Sequence, residues 1–258
     1  MTKILSLCLA LAALLAPPLD ALAATSLAQF DSAGGGPRIE GFLSLPAGKG
    51  PFPAVVLIHS CLGLPANRPT IEAEFKSWGY AALFVDNFRP RGLKETCAVD
   101  FPDAVRDAFG ALAYLSGRPD VDPSRIAVVG FSQGGDAALK IAAAPMGQAF
   151  GLPHLSFKAA AAFYPPCANE ADAAVAIPTL VLIGAADSVT PAADCERLAQ
   201  AQPERVRLVV YPGAAHGFDD PEFGVGKPVL GMRLVFDGNA ARRAAAELRR
   251  FLDQTLRR

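Results

Sequence analysis

A chain of 258 residues with 52% hydrophobic side chains is long enough to enclose one large core. Its formal net charge of −1 leaves no basic surplus, which argues against nucleic acid or an anionic membrane as partner and toward a small molecule.

At the start, Lys3 precedes an apolar run over residues 4–16, which Pro17 and Pro18 interrupt before the small residues Ala21 and Ala23. This is the layout of a secretory signal peptide cleaved after Ala23, and the run is too short to span a bilayer. Cys8 lies before most of the run, which argues against lipidation there. The expected organisation is a leader over 1–23, a flexible glycine-rich lead-in over 24–37 and one domain over 38–258, in a secreted or periplasmic protein that keeps no membrane attachment. Its oligomeric state is left open.

Residues 38–45 alternate polar and apolar, the period of a half-exposed strand near a sheet edge. Residues 54–58 are apolar without alternation, which suits a strand buried on both faces. Ile71, Phe75 and Trp78 place a helix over 69–78, and Gly79 ends it. A second buried strand over 81–85 ends at Asp86, an arginine-rich loop covers 87–96, and 99–115 fits an amphipathic helix. Strands follow at 126–129, 159–164, 179–183 and 206–210, the last of the chain, with helices at 136–144 and 191–201 between them. Residues 217–238 read as irregular, and 239–256 as a closing helix with arginines on its outer face. The alternation of strand and helix predicts a mostly parallel central sheet with helices on both faces.

Beyond the leader stand Cys61, Cys97, Cys167 and Cys195, an even number in a chain bound for an oxidising compartment. Of three possible pairings, Cys61–Cys97 with Cys167–Cys195 closes the shortest loops and is preferred. Zinc is disfavoured, because there is no C-x-x-C and no histidine at ligand spacing from a cysteine.

Gly130-Phe131-Ser132-Gln133-Gly134 follows a β-forming run and precedes an alanine-rich helical pattern, the layout of a nucleophile elbow. Ligand sites in such sheets lie beyond the carboxyl ends of the strands. His59, Ser132, Asp187 and His216 fall at such ends. Ser132 needs a neutral imidazole to take its proton and return it to the leaving group, and His216 is the candidate. Asp187 ends the strand before the one that delivers His216, where a carboxylate would hold the ring in one tautomer. The competing readings are a surface-loop histidine for His216 and a helix cap for Asp187, although Thr190 is the better cap. His59 reads as a structural ring shaping its loop, and His154 as an exposed loop residue.

Four segments together resemble the dienelactone hydrolase family of α/β-hydrolases: residues 56–64 around His59 and Cys61, 79–86, 130–135, and 211–218 around His216. The likeness runs over about residues 38–256 and implies the α/β-hydrolase fold, an acyl-enzyme esterase and no cofactor or metal. It also implies an oxyanion hole of two backbone N–H groups, by position those of Cys61 and Gln133. Two departures qualify it. The family's namesake enzymes use a cysteine nucleophile with a nearby glutamate, where this chain has Ser132 and Ser60. They also bind a substrate carboxylate with arginines, one just after the catalytic histidine, where this chain has Asp219 and Asp220.

Arg89 and Arg91, after a strand end, are candidates to hold an anionic ester; a solvated, hydrogen-bonded loop is the competing reading. The sequence therefore predicts a serine hydrolase of a small carboxylic ester or lactone. The alternatives are peptide or thioester hydrolysis, or perhydrolysis, by the same three residues, or a binding protein that has lost turnover.

Overall fold

The uninterrupted apolar runs become the inner strands of an eight-stranded sheet. A computed structural model describes residues 25–257 apart from 100, 102, 144, 145 and 171–173. The expected leader and the proline end of the 136–144 helix lie outside the described residues. In chain order the sheet contains β1 (Ser26–Asp31), β2 (Arg38–Ser44), β3 (Phe52–Ile58), β4 (Ala81–Asp86), β5 (Val121–Phe131), β6 (Ala159–Phe163), β7 (Thr179–Gly184) and β8 (Val206–Tyr211). Their spatial order is β1-β2-β4-β3-β5-β6-β7-β8. The β1–β2 and β2–β4 pairs are antiparallel and every other pair is parallel.

Every residue of β4 and β7 is buried, so both faces of the central sheet are covered. The covering helices are α1 (Arg68–Ser77), α2 (Asp103–Ser116), α3 (Gln133–Ala143), α4 (Ala192–Ala201) and α5 (Gly238–Leu256). In α5 the buried residues Ala240, Ala244, Leu248, Phe251, Leu252 and Leu256 recur every three or four positions, while Arg242, Arg243, Arg249 and Arg250 face solvent. Asp237 starts this helix by accepting the backbone N–H groups of Asn239 and Ala240 at 2.9 and 3.0 Å.

Two expectations fail. The predicted lead-in is not structureless: β1 lies inside it and takes the sheet edge, placing β2 second. Ala28 and Phe30 are buried and alternate with exposed neighbours, a pattern too short to stand out beside the glycines that follow. The stretch 217–238 also contains a hairpin, β9 (Lys227–Val229) and β10 (Met232–Leu234), so β8 is not the last strand. Each hairpin strand has only three residues, too few for periodicity to reveal.

Candidate active site

The carboxyl ends of β5, β7 and β8 converge and set three side chains in one hydrogen-bonded row. Ser132, between β5 and α3, has φ 53°, a left-handed conformation that costs a residue with a Cβ about 1–3 kcal/mol unless its surroundings impose it. They do: its N–H donates to Phe163 O at 2.9 Å, and its carbonyl accepts from the Asp136 N–H at 3.0 Å. The flanking glycines let the turn close, because a Cβ on Gly130 would lie 1.9 Å from Gly134 O and one on Gly134 2.3 Å from Ile58 O.

His216 Nε2 is 2.9 Å from Ser132 Oγ, and its Nδ1 is 2.8 Å from Asp187 Oδ2. All four distances of the elbow and the row are ordinary hydrogen-bond lengths. The loops carrying Asp187 and His216 are joined through their backbones: Ala185 N–H donates to Tyr211 O and Ala186 N–H to Ala214 O, both at 2.9 Å. Asp187 Oδ1 receives the N–H groups of Val189 and Thr190 at 2.9 and 2.8 Å, leaving Oδ2 for the imidazole. The carboxylate caps no helix. Nor does Thr190, for α4 begins after Pro191 without a side-chain cap. The buried Thr190 hydroxyl instead lies 3.0 Å from Asp187 Oδ2 and 3.1 Å from Tyr164 O.

His59 borders the same space but faces away from this row. Its Nδ1 is 2.7 Å from Ser60 O, and its Nε2 accepts the Asn87 N–H at 3.3 Å. Burial pushes its pKa down, so it is a neutral ring bracing two loops. His154 is exposed.

Ser132 and His216 open into a cavity with Leu62, Ile71, Phe131 and Leu234 among its walls. The β9–β10 hairpin roofs it: Leu234 bridges to His216, and the Val235 N–H donates to His216 O at 3.2 Å. Ser132, Cys61 and Met232 also border a more polar cleft, which includes Gln133. Among the described residues, neither the Cys61 nor the Gln133 backbone N–H donates to a protein group.

Asp219 and Asp220 lie in the wall of the first cavity. Asp219 Oδ1 accepts the Tyr164 hydroxyl at 2.7 Å. Burial pushes the Asp219 carboxyl up to about 6 and raises Asp220 as well. The two arginines predicted to meet substrate are elsewhere. Arg91 makes a two-pronged pair with Asp107 at 2.8 and 2.9 Å and donates to Asn87 O at 2.8 Å, while Arg89 pairs with Glu40 and Asp86. Asp107 is fully buried, and a buried carboxylate requires such a fork of donors. Neither arginine borders the cavity.

All four cysteines beyond the leader are paired, Cys61 with Cys97 and Cys167 with Cys195, as preferred from the sequence. Tyr164 and Thr96 went unnoticed there, and Thr190 was read only as a helix cap. Each acts through a partner distant in sequence, and no local motif announces it.

The model of the dienelactone hydrolase family matches residues 39–256. An uncharacterized protein of Mycobacterium tuberculosis is 30% identical over an alignment of 209 positions that covers 76% of this chain and 73% of that one. Among solved structures, a dienelactone hydrolase-like promiscuous phosphotriesterase from metagenomic libraries aligns with a TM-score of 0.70 at 23% identity, covering 90% of this chain and 99% of the other. A dienelactone hydrolase from Anabaena variabilis aligns at 0.65 and 20%, with the same coverage. Likeness at these identities establishes a shared α/β-hydrolase fold.

Proposed function

This chain belongs to the dienelactone hydrolase family and is an ester-bond hydrolase; from that premise we propose that it cleaves a small carboxylic ester or lactone through an acyl-enzyme on Ser132. The observation that carries the reading is the continuous row Ser132–His216–Asp187, whose serine opens on a largely apolar cavity.

In this mechanism Ser132 Oγ attacks the ester carbonyl while His216 Nε2 takes its proton. The carbonyl oxygen becomes an oxyanion facing the backbone N–H groups of Cys61 and Gln133, the latter at the N-terminus of α3. Asp187 holds the imidazole through Nδ1 and balances its positive charge. The tetrahedral intermediate collapses, and the departing alkoxide takes the proton from His216. Water then attacks the acyl-enzyme with His216 again as base, and the acid leaves with Ser132 restored.

The substrate we propose is uncharged near the carbonyl. Asp219 and Asp220 in the wall repel a carboxylate, and Arg89 and Arg91 are engaged outside it. The two disulfides favour export to an oxidising compartment. Among the described residues no helix is long and apolar enough to cross a membrane.

Treating the mature protein with a fluorophosphonate and mapping the labelled peptide tests the reading. Labelling at Ser132, lost in Ser132→Ala and His216→Ala, is the expected result. A folded, disulfide-intact protein that takes no label would overturn it and leave a non-catalytic binding protein on the same fold.

A further inference from the structure

One short segment reaches both proposed oxyanion donors. Cys61 follows β3 and Gln133 opens α3, so their amides belong to different elements. Cys97 is bonded to Cys61 through the disulfide, with the Cα atoms 4.8 Å apart, and the N–H of the preceding Thr96 donates to the Cys61 carbonyl at 2.9 Å. On its other side, the Thr96 hydroxyl donates to Gln133 Oε1 at 2.6 Å. The Gln133 carboxamide nitrogen in turn faces Thr96 O at 3.4 Å and Val99 O at 3.3 Å. Thr96 is only 2% exposed, so its bonds to Gln133 are partly shielded from competing water, while the Gln133–Val99 bond is exposed.

Among the described residues no hydrogen bond runs directly from the turn carrying Cys61 to α3. The turn's other hydrogen bonds include those from Gly63 N–H to Ser60 O at 3.1 Å, from Leu62 N–H to Ser60 Oγ at 3.3 Å and from Asn87 N–H to His59 Nε2 at 3.3 Å, none of them to α3. An oxyanion hole acts only when both donors sit about 2.7–3.1 Å from the developing charge. The separation of the two amides is therefore as important as the presence of each.

We propose that Thr96 and the Cys61–Cys97 disulfide are positioning groups: together with the Gln133 side chain they form a strap that fixes the distance between the Cys61 and Gln133 backbone N–H groups. The inference rests on the reading of Ser132 as nucleophile and of these two amides as oxyanion donors. It adds a role for a segment outside the row Ser132–His216–Asp187. The strap acts on the charge that develops during reaction: neither Thr96 nor Cys97 borders the space beside His216, and Cys97 lines only the more polar cleft on the other side of Ser132.

The test compares wild type with Thr96→Val, Thr96→Ser, Gln133→Met and the double variant Cys61→Ala/Cys97→Ala. The second disulfide, removed in Cys167→Ala/Cys195→Ala, is the control. Each is measured for kcat and KM on a neutral p-nitrophenyl ester, for inhibition by a trifluoromethyl ketone that forms a tetrahedral adduct, and for Tm. In Thr96→Val and Gln133→Met we expect kcat to fall about 10-fold, and in the Cys61/Cys97 double variant by up to about 100-fold, as for small displacements of catalytic groups. KM stays within about twofold, and ketone affinity falls in step with kcat/KM, as expected for interactions made only in the transition state. Thr96→Ser restores kcat, and the control loses Tm while keeping kcat. Folded Thr96→Val and Cys61→Ala/Cys97→Ala proteins with wild-type kcat and ketone affinity would overturn the strap while leaving the serine-hydrolase reading intact. An inactive wild type that takes no fluorophosphonate at Ser132 would overturn both.

Discussion

Ser132 and Tyr164 carry the local backbone strain of the site, with φ of 53° and 38°, while His216 and Asp187 depend on ordinary backbone held by neighbouring loops. The consequence is that Asp187 is replaceable in shape but not in role. Asp187→Asn keeps an oxygen or nitrogen at each position yet loses the charge that holds the Nδ1–H tautomer, so kcat should fall about 10³–10⁴-fold with Tm little changed. Asp219 offers a pH-dependent contrast. Tyr164, Asp220 and His216 surround it, and burial has raised its carboxyl from 3.8 to about 6. With the folded pKa above the unfolded one, its contribution to stability is complete below about pH 4 and is lost as pH rises through about 6. Asp219→Asn should therefore gain stability relative to wild type between pH 4.5 and 7.5, a trend that urea unfolding at the two pH values would read. The same substitution should narrow the preference for a neutral over an anionic ester at pH 7.5, which we expect to be about tenfold in wild type. An unchanged ratio of kcat/KM would show that Asp219 does not select substrate.

At the scale of elements, the elbow and the hairpin place opposite demands on the chain. The elbow has no free volume: with Ile58 O 2.3 Å from a Cβ on Gly134, Gly134→Ala must displace β3 or α3. It should cost about 1–3 kcal/mol in urea unfolding together with most of the activity. The β9–β10 hairpin is a thinner structure whose Leu234 roofs the cavity and bridges to His216. Leu234→Ala should raise KM for apolar esters several-fold while fluorophosphonate labelling at Ser132 persists. The elbow was legible in the sequence because its glycines, serine and flanking patterns are contiguous. The hairpin was not, because two three-residue strands carry no period and exist only through their pairing.

Across the whole molecule, stability rests on a sheet covered on both faces and on two long cross-links. Leu57 is fully buried in β3, so Leu57→Ala should cost about 2–5 kcal/mol by denaturant unfolding. The disulfides span 36 and 28 residues, and losing either should cost about 2–4 kcal/mol. The sequence by itself determined the α/β architecture, since β3, β4 and β7 are apolar runs that only two covered faces can accommodate. It also singled out Ser132, Asp187 and His216, because each ends a recognisable strand and turn. Only the tertiary structure decided the identity of the edge strand, the engagement of Arg89 and Arg91 with buried or neighbouring carboxylates, and the bonds of Thr190 to Asp187 and of Thr96 to Gln133. The division has one physical cause. A buried strand or a tight elbow is specified by residues adjacent in the chain, whereas an ion pair or a strap depends on which distant segments the packed core brings within hydrogen-bond reach.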